Sequence, residues 1–179
     1  LKLVGTAAIS PMGDVSPILE LAPTGRLTAD QRRVLIWSLA SLARQQPDLN
    51  LDDYRRGMAS EHWTDVVACF GADVHRGNVV INTMTAADLS PATPEAAATM
   101  VRLLKARALP DAALNAPLSV VSEADDTVVA PRWSSDAIHN ACARGGSVSW
   151  RTVFSTGQSN RLDGRRDDVI AAQISWLSA

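Results

Sequence analysis

Pro117-Leu118-Ser119-Val120-Val121-Ser122-Glu123-Ala124-Asp125-Asp126-Thr127-Val128-Val129-Ala130-Pro131 is the stretch on which the reading of this chain turns. Its first five residues form a short apolar strand, and Ser122 to Asp126 end it in polar residues. Downstream, 133–144 reads as a helix with Trp133, Ala137, Ile138, Ala141 and Cys142 on one face, closed by Gly145-Gly146. Residues 147–154 then alternate Val148, Trp150 and Thr152 against Ser149, Arg151 and Val153, the signature of a second strand. A loop over 155–164 leads to a final amphipathic helix carrying Val169, Ile170, Ile174 and Leu177.

Upstream, Leu1-Lys2-Leu3-Val4-Gly5-Thr6-Ala7-Ala8-Ile9 reads as a buried strand, ended by the breakers Ser10-Pro11-Met12-Gly13-Asp14. Strand, loop, helix, strand, loop, helix is the alternation of a parallel α/β sheet. Three parallel strands are therefore expected over 2–9, 118–122 and 148–154, adjacent in that order. Ligands of such sheets gather at the loops leaving the strands' C-terminal ends, here 10–15, 122–131 and 155–164.

The residues between the first two strands show no useful strand periodicity and are expected to form a mainly helical lid over those C-terminal ends. The clearest helix runs from the N-cap Thr28 to about Gln46, with Val34, Leu35, Leu39, Leu42 and Ala43 at helical spacing, Ile36 and Trp37 widening the stripe, and Pro47 as its stop. Shorter helical pieces are read at 51–58 and 59–70. Residues 71–82 are read as irregular, with room for an extended Val79-Val80-Ile81. Thr93-Pro94-Glu95 starts another helix, bearing Met100, Val101, Leu103 and Leu104 and fading by Leu109-Pro110.

Composition narrows the function classes. Over 179 residues, 17 Lys+Arg balance 19 Asp+Glu, and no long like-charge run offers a nucleic-acid footprint or a basic membrane anchor. No apolar run approaches the roughly 18 residues of a membrane span. Hydrophobic residues make up 46%, enough for a sizeable core. The two cysteines, Cys69 and Cys142, are too few for a disulfide scaffold, and the reading favours two buried free thiols over one bridge. The chain opens on Leu1 at a strand without a charged leader, which is read as one piece of a larger protein.

Asp125 and Asp126 are the main candidates for chemistry. A carboxylate just beyond an apolar strand, followed by an apolar pair and a proline, sits where a rigid element can hold it against an imidazole. The same pair equally suits a helix N-cap or a solvated turn. Of the histidines, His139 is read on the solvent side of its helix and His75 in a lid loop. His62 and Cys69 are read as sharing a helical face, a spacing too sparse for a metal without further ligands. Trp37 and Trp63 are read as core anchors, and Asp52-Asp53 and Asp167-Asp168 as helix-start charges. No cofactor or metal site is expected.

The layout resembles the α/β-hydrolase fold, in particular the secreted lipase family of actinobacteria and fungi. Glu123-Ala124-Asp125-Asp126-Thr127-Val128-Val129-Ala130-Pro131 and Ala141-Cys142-Ala143-Arg144-Gly145 carry the likeness. Leu3–Pro11 looks like the family's strand after the nucleophile helix, and the region around Leu49–Tyr54 looks like its helical lid. The resemblance implies a hydrolase core from 1–13 and 116–179 with a lid insertion over 14–115, and Asp126 as the triad acid. It also implies a lipase or esterase cleaving an acyl ester, secreted or at the cell envelope, with an N-terminal half carrying the nucleophilic serine as a separate or cleaved chain.

Two departures stand out. The family's Gly-His pair appears as Gly157-Gln158, and glutamine takes no proton near neutral pH, so Gln158 holds the base position without being a general base. No Gly-x-Ser-x-Gly elbow is present; Gly157-Gln158-Ser159-Asn160-Arg161 and Gly145-Gly146-Ser147-Val148-Ser149 both lack the second glycine. A catalytically inactive, hydrolase-like binding scaffold is the alternative.

Overall fold

Thr6–Ile9 forms β1 and leads into a run of helices: α1 (Ile18–Leu21), α2 (Ala29–Gln45), α3 (Gly57–Glu61), α4 (Trp63–Val66), α5 (Ala72–Thr83), α6 (Ala86–Leu89) and α7 (Pro94–Lys105). The chain then returns as β2 (Leu118–Glu123), α8 (Pro131–Ala143), β3 (Val148–Val153) and α9 (Arg165–Leu177). The computed structural model describes residues 2–108, 113–153 and 165–177, with 165–169 described by their backbone alone. The protein is mixed α/β and divides into two compact units: Leu1–Val15 with Arg107–Ala179, and Ser16–Ala106.

In the first unit the strands pair in the order β1-β2-β3, both pairs parallel. Thr6 stands opposite Leu118, and Leu118 opposite Val148, so the three C-terminal ends lie at one edge of the sheet. Positions 119–122 of β2 are all buried, which requires cover on both faces and explains an apolar run without alternation. His139 of α8 meets the Trp150 ring edge-on at 6.3 Å, placing α8 over the face that carries Val120, Ser122 and Trp150. Trp150 Nε1–H donates to Ser122 Oγ at 2.8 Å, so the exposed-edge tryptophan also ties β3 to the central strand.

The strand expected from residue 2 begins only at Thr6. Its partner starts at Leu118, and before that stands Pro117, which has no N–H to extend the ladder. Leu3 and Val4 are left 63% and 72% exposed. The strand expected over 118–122 runs one residue further, to Glu123.

The second unit is helical throughout its described residues. Thr28 caps α2 with a complete capping box: Gln31 N–H donates to Thr28 Oγ1, and Thr28 N–H to Gln31 Oε1, each at 3.1 Å. Thr93 caps α7 in the same sense, accepting from Ala96 N–H. Ile18, Leu35, Ile36, Leu39, Leu42, Val66, Ile81 and Met100 are its most deeply buried large side chains. Tyr54 is buried beside them and its hydroxyl donates to Ala96 O at 3.0 Å.

Several expectations are corrected in this unit. Residues 71–82 are not irregular: they form α5, and Gly77, Val80 and Ile81 are buried at helical spacing. The β-branched run favours strand, but burial on one helical stripe overrides local propensity. The stretches read as helices at 51–58 and 59–70 break into a 3-10 turn at Leu51–Asp53 and the short α3 and α4. Trp37 is no core anchor, being 43% exposed on the side of α2 away from Leu35, Leu39 and Leu42. Both cysteines are free as read, yet both are exposed instead of buried: the buried stripe of α8 stops at Ala141, and Cys69 follows the end of α4.

Candidate functional site

Asp126 lies in the loop that leaves the C-terminal end of β2, the central strand, and precedes α8. It is half-buried, whereas Asp125 is exposed. One carboxylate oxygen, Oδ1, accepts from the Val128 N–H at 2.8 Å and the Val129 N–H at 2.9 Å. The side chain thus closes its own turn, as Asp commonly does two and three residues ahead of backbone amides. Oδ2 takes no part in that turn.

The neighbouring β1 exit is held close by. Ser10 has φ +45°, a left-handed conformation that L residues with a Cβ adopt at a cost, and its N–H donates to Val121 O at 2.7 Å. Ser134 Oγ of α8 donates to Pro11 O at 2.8 Å. At Gly13 a Cβ would stand 2.6 Å from Ala137 Cβ and 2.9 Å from Trp133 O, so only glycine lets this loop lie against α8. The exits of β1 and β2 are both anchored to the helix that follows Asp126.

Glu123, the last residue of β2, completes an acidic cluster. Burial raises its carboxyl above the ordinary 4.5, and the charges of Asp126 and Asp125 raise it further. Nothing in the sequence pattern singled out Glu123, because its perturbation comes from where the strand ends in the sheet.

The remaining sequence candidates separate. Gln158 and the whole loop expected at 155–164, with the near-elbow serine Ser159, lie outside the described residues. His139 is exposed on α8, as read, and packs against Trp150. His75 is exposed on helix α5, not in a loop. His62 sits between α3 and α4 and Cys69 beyond α4, so they do not share one helical face. No group of three or more His, Cys, Asp or Glu among the described residues is placed to hold a metal ion. Asp52 and Asp53 do occupy a first turn, capped by Asn50. Trp63 is half-buried, under the Arg55 guanidinium at 4.9 Å. No described helix is long and apolar enough to cross a membrane.

No family model, no curated protein and no solved structure matches this chain.

Proposed function

We propose that this chain is the C-terminal part of a lipase- or esterase-like serine hydrolase, with residues 14–115 as its lid insertion. It supplies the triad acid, Asp126, and the base position, Gln158, to a nucleophilic serine on an N-terminal half. The observation that carries the reading is the place of Asp126: a carboxylate in the loop beyond the C-terminal end of the central strand of a parallel sheet, with one oxygen fixed by the backbone. A carboxylate held this way orients an imidazole and stabilises the imidazolium that forms when serine loses its proton. The substrate is a carboxylic ester, and the place of action is outside the cell or at its envelope.

In this reading Gln158 takes the base's position in the sequence and, being an amide, moves no proton. Loss of a base alone costs on the order of 10⁶ in turnover in a serine protease. The test is Gln158→His, assayed for hydrolysis of short and long p-nitrophenyl esters together with the N-terminal half. Recovery of activity by several orders of magnitude supports the hydrolase. A folded complex that stays inactive supports the second reading, a scaffold that has lost its chemistry. The glutamine at position 158 favours that reading, since it takes no proton near neutral pH.

A further inference from the structure

Arg33 of α2 and Asn78 of α5 meet across the helical unit, Arg33 Nη2 donating to Asn78 Oδ1 at 2.6 Å. Arg33 Nη1 donates in turn to Asp30 Oδ1 at 2.7 Å, so the guanidinium plane is held from two sides. Beside it opens a cavity of about 230 Å³, walled by Trp37, Val74, Ile81 and Cys69 as well as by Arg33 and Asn78.

We propose that this cavity binds a small carboxylate with an apolar body, its head on Arg33 and Asn78 and its body against Trp37, Val74 and Ile81. The hydrogen-bonding capacity left over in the wall decides what head group suits the ligand. A guanidinium has five N–H donors and no acceptor, and only two nitrogens are engaged here. Asn78 spends its oxygen on Arg33, which leaves the two N–H bonds of its amide. The one carboxylate in the wall, Asp65, is already answered by Arg76 Nε at 3.2 Å and faces His62 Nδ1 at 3.8 Å. What remains unanswered is donor capacity, and a carboxylate takes it up in bidentate fashion.

The apolar part follows from the walls. Trp37 keeps 43% of its surface exposed although α2 packs on its other side, and an apolar body laid on it removes that surface from water. The cavity is smaller than the roughly 300–1,000 Å³ of drug-sized pockets, so a short acyl chain or a single ring suits it. The site lies within the helical unit and stands independently of the ester-hydrolase reading.

Cys69 provides the readout, because its exposed thiol lines the cavity while the other exposed thiol, Cys142, belongs to the sheet unit. The full chain is alkylated with a maleimide in the presence of hexanoate, hexanol or neither, and modification of each cysteine is followed by mass spectrometry. Hexanoate is expected to slow Cys69 several-fold and leave Cys142 unchanged, with hexanol much less effective. Asn78→Asp keeps the oxygen that Arg33 needs but replaces the amide donors with an acceptor. It should raise the hexanoate concentration needed for half-maximal protection about tenfold, the size of one charge-assisted hydrogen bond. Absence of protection, equal protection by hexanol, or equal slowing of Cys142 each overturns the proposal, and none of these comparisons needs a variant to fold. Unchanged protection in folded Asn78→Asp overturns it too.

Discussion

Asp126 and Asp88 both turn a carboxylate onto backbone amides, and they differ in how far away those amides come from. Asp126 serves Val128 and Val129, two and three residues on, a local pattern that the sequence displays. Asn accepts through the same atom, so Asp126→Asn should leave stability nearly unchanged, while Asp126→Ala should cost about 0.5–2 kcal/mol, as for a lost cap. In a Gln158→His background the Asn variant should still lose on the order of 10³–10⁴ in ester turnover, because it no longer fixes the imidazole tautomer. Thermal unfolding and hydrolysis rates, measured on the same samples, separate the two roles.

Asp88 is buried and accepts from Thr85 N–H at 2.6 Å, Thr85 Oγ1–H at 2.8 Å and, thirty residues back, Met58 N–H at 3.0 Å. Burial alone would raise its carboxyl, but these bonds and the charge of Arg32 hold it below the ordinary 3.8. A depressed acid stabilises the fold above its unfolded value, and that contribution disappears as pH falls through the folded one. Asp88→Ala should cost about 2–3 kcal/mol at neutral pH by stranding those donors. Urea midpoints should show the deficit shrinking as pH drops below 3.8. Glu123 has the opposite sign: its raised carboxyl binds a proton more readily folded than unfolded, so stability falls as pH climbs above 4.5. Glu123→Gln should therefore be more stable than the parent at pH 7, with the gap closing toward 4.5. A variant less stable at pH 7 would contradict the burial of that side chain.

Helix α5 marks the boundary between what local pattern reveals and what packing decides. α2, α7 and α8 were legible because caps and stops are written in neighbouring residues: Thr28 with Gln31, Thr93 with Pro94, Gly145 after Ala143. The sheet order was legible from the alternation of strand and helix along the chain, which places successive parallel strands side by side. In α5 the determinant is remote in the chain. A Cβ at Gly77 would run into Asp65 O and stand 3.2 Å from Val66 Cα, so α4 and α5 touch backbone to backbone there, on the same side of α5 as the buried Val80 and Ile81. Arg33 and Asn78 are likewise 45 positions apart, and no spacing rule joins them. Gly77→Ala should gain helix propensity yet lose about 1–3 kcal/mol by forcing the helices apart. A Gly77→Ala variant at least as stable as the parent in chemical denaturation would mean that α5 does not press on α4.

The two units are unequally provided with core. The most deeply buried large side chains, Val120 excepted, belong to Ser16–Ala106, although Trp133, Val121 and Ile138 of the sheet unit are buried too, at 2%, 3% and 4% exposure. The sheet unit leaves Leu3, Val4 and Ile9 exposed at 63%, 72% and 39%, gathered on and beside β1, whereas the exposed Phe70 and Val79 of the helical unit sit on no sheet edge. Among the described residues β1 pairs on one side only, with β2, so a row of its backbone donors and acceptors faces outward beside these apolar side chains. An apolar parallel edge of this kind invites further strand pairing, specific or not. Each large side chain left uncovered forgoes roughly 1.5–3 kcal/mol against a typical total of about 5–15 kcal/mol, so the deficit is large enough to decide whether this unit folds alone. In the hydrolase reading the nucleophile-bearing strand covers that edge, and the interface is obligate in character. Residues 1–179 expressed alone should therefore be soluble but self-associated through this edge, and co-expression with the N-terminal half should yield a single species with one cooperative transition. Hydrogen exchange on that species should show Thr6–Ile9 protected as strongly as β2. A soluble monomer of 1–179 with a sharp transition would mean that β1 needs no further strand, and the two-part hydrolase would fall with it.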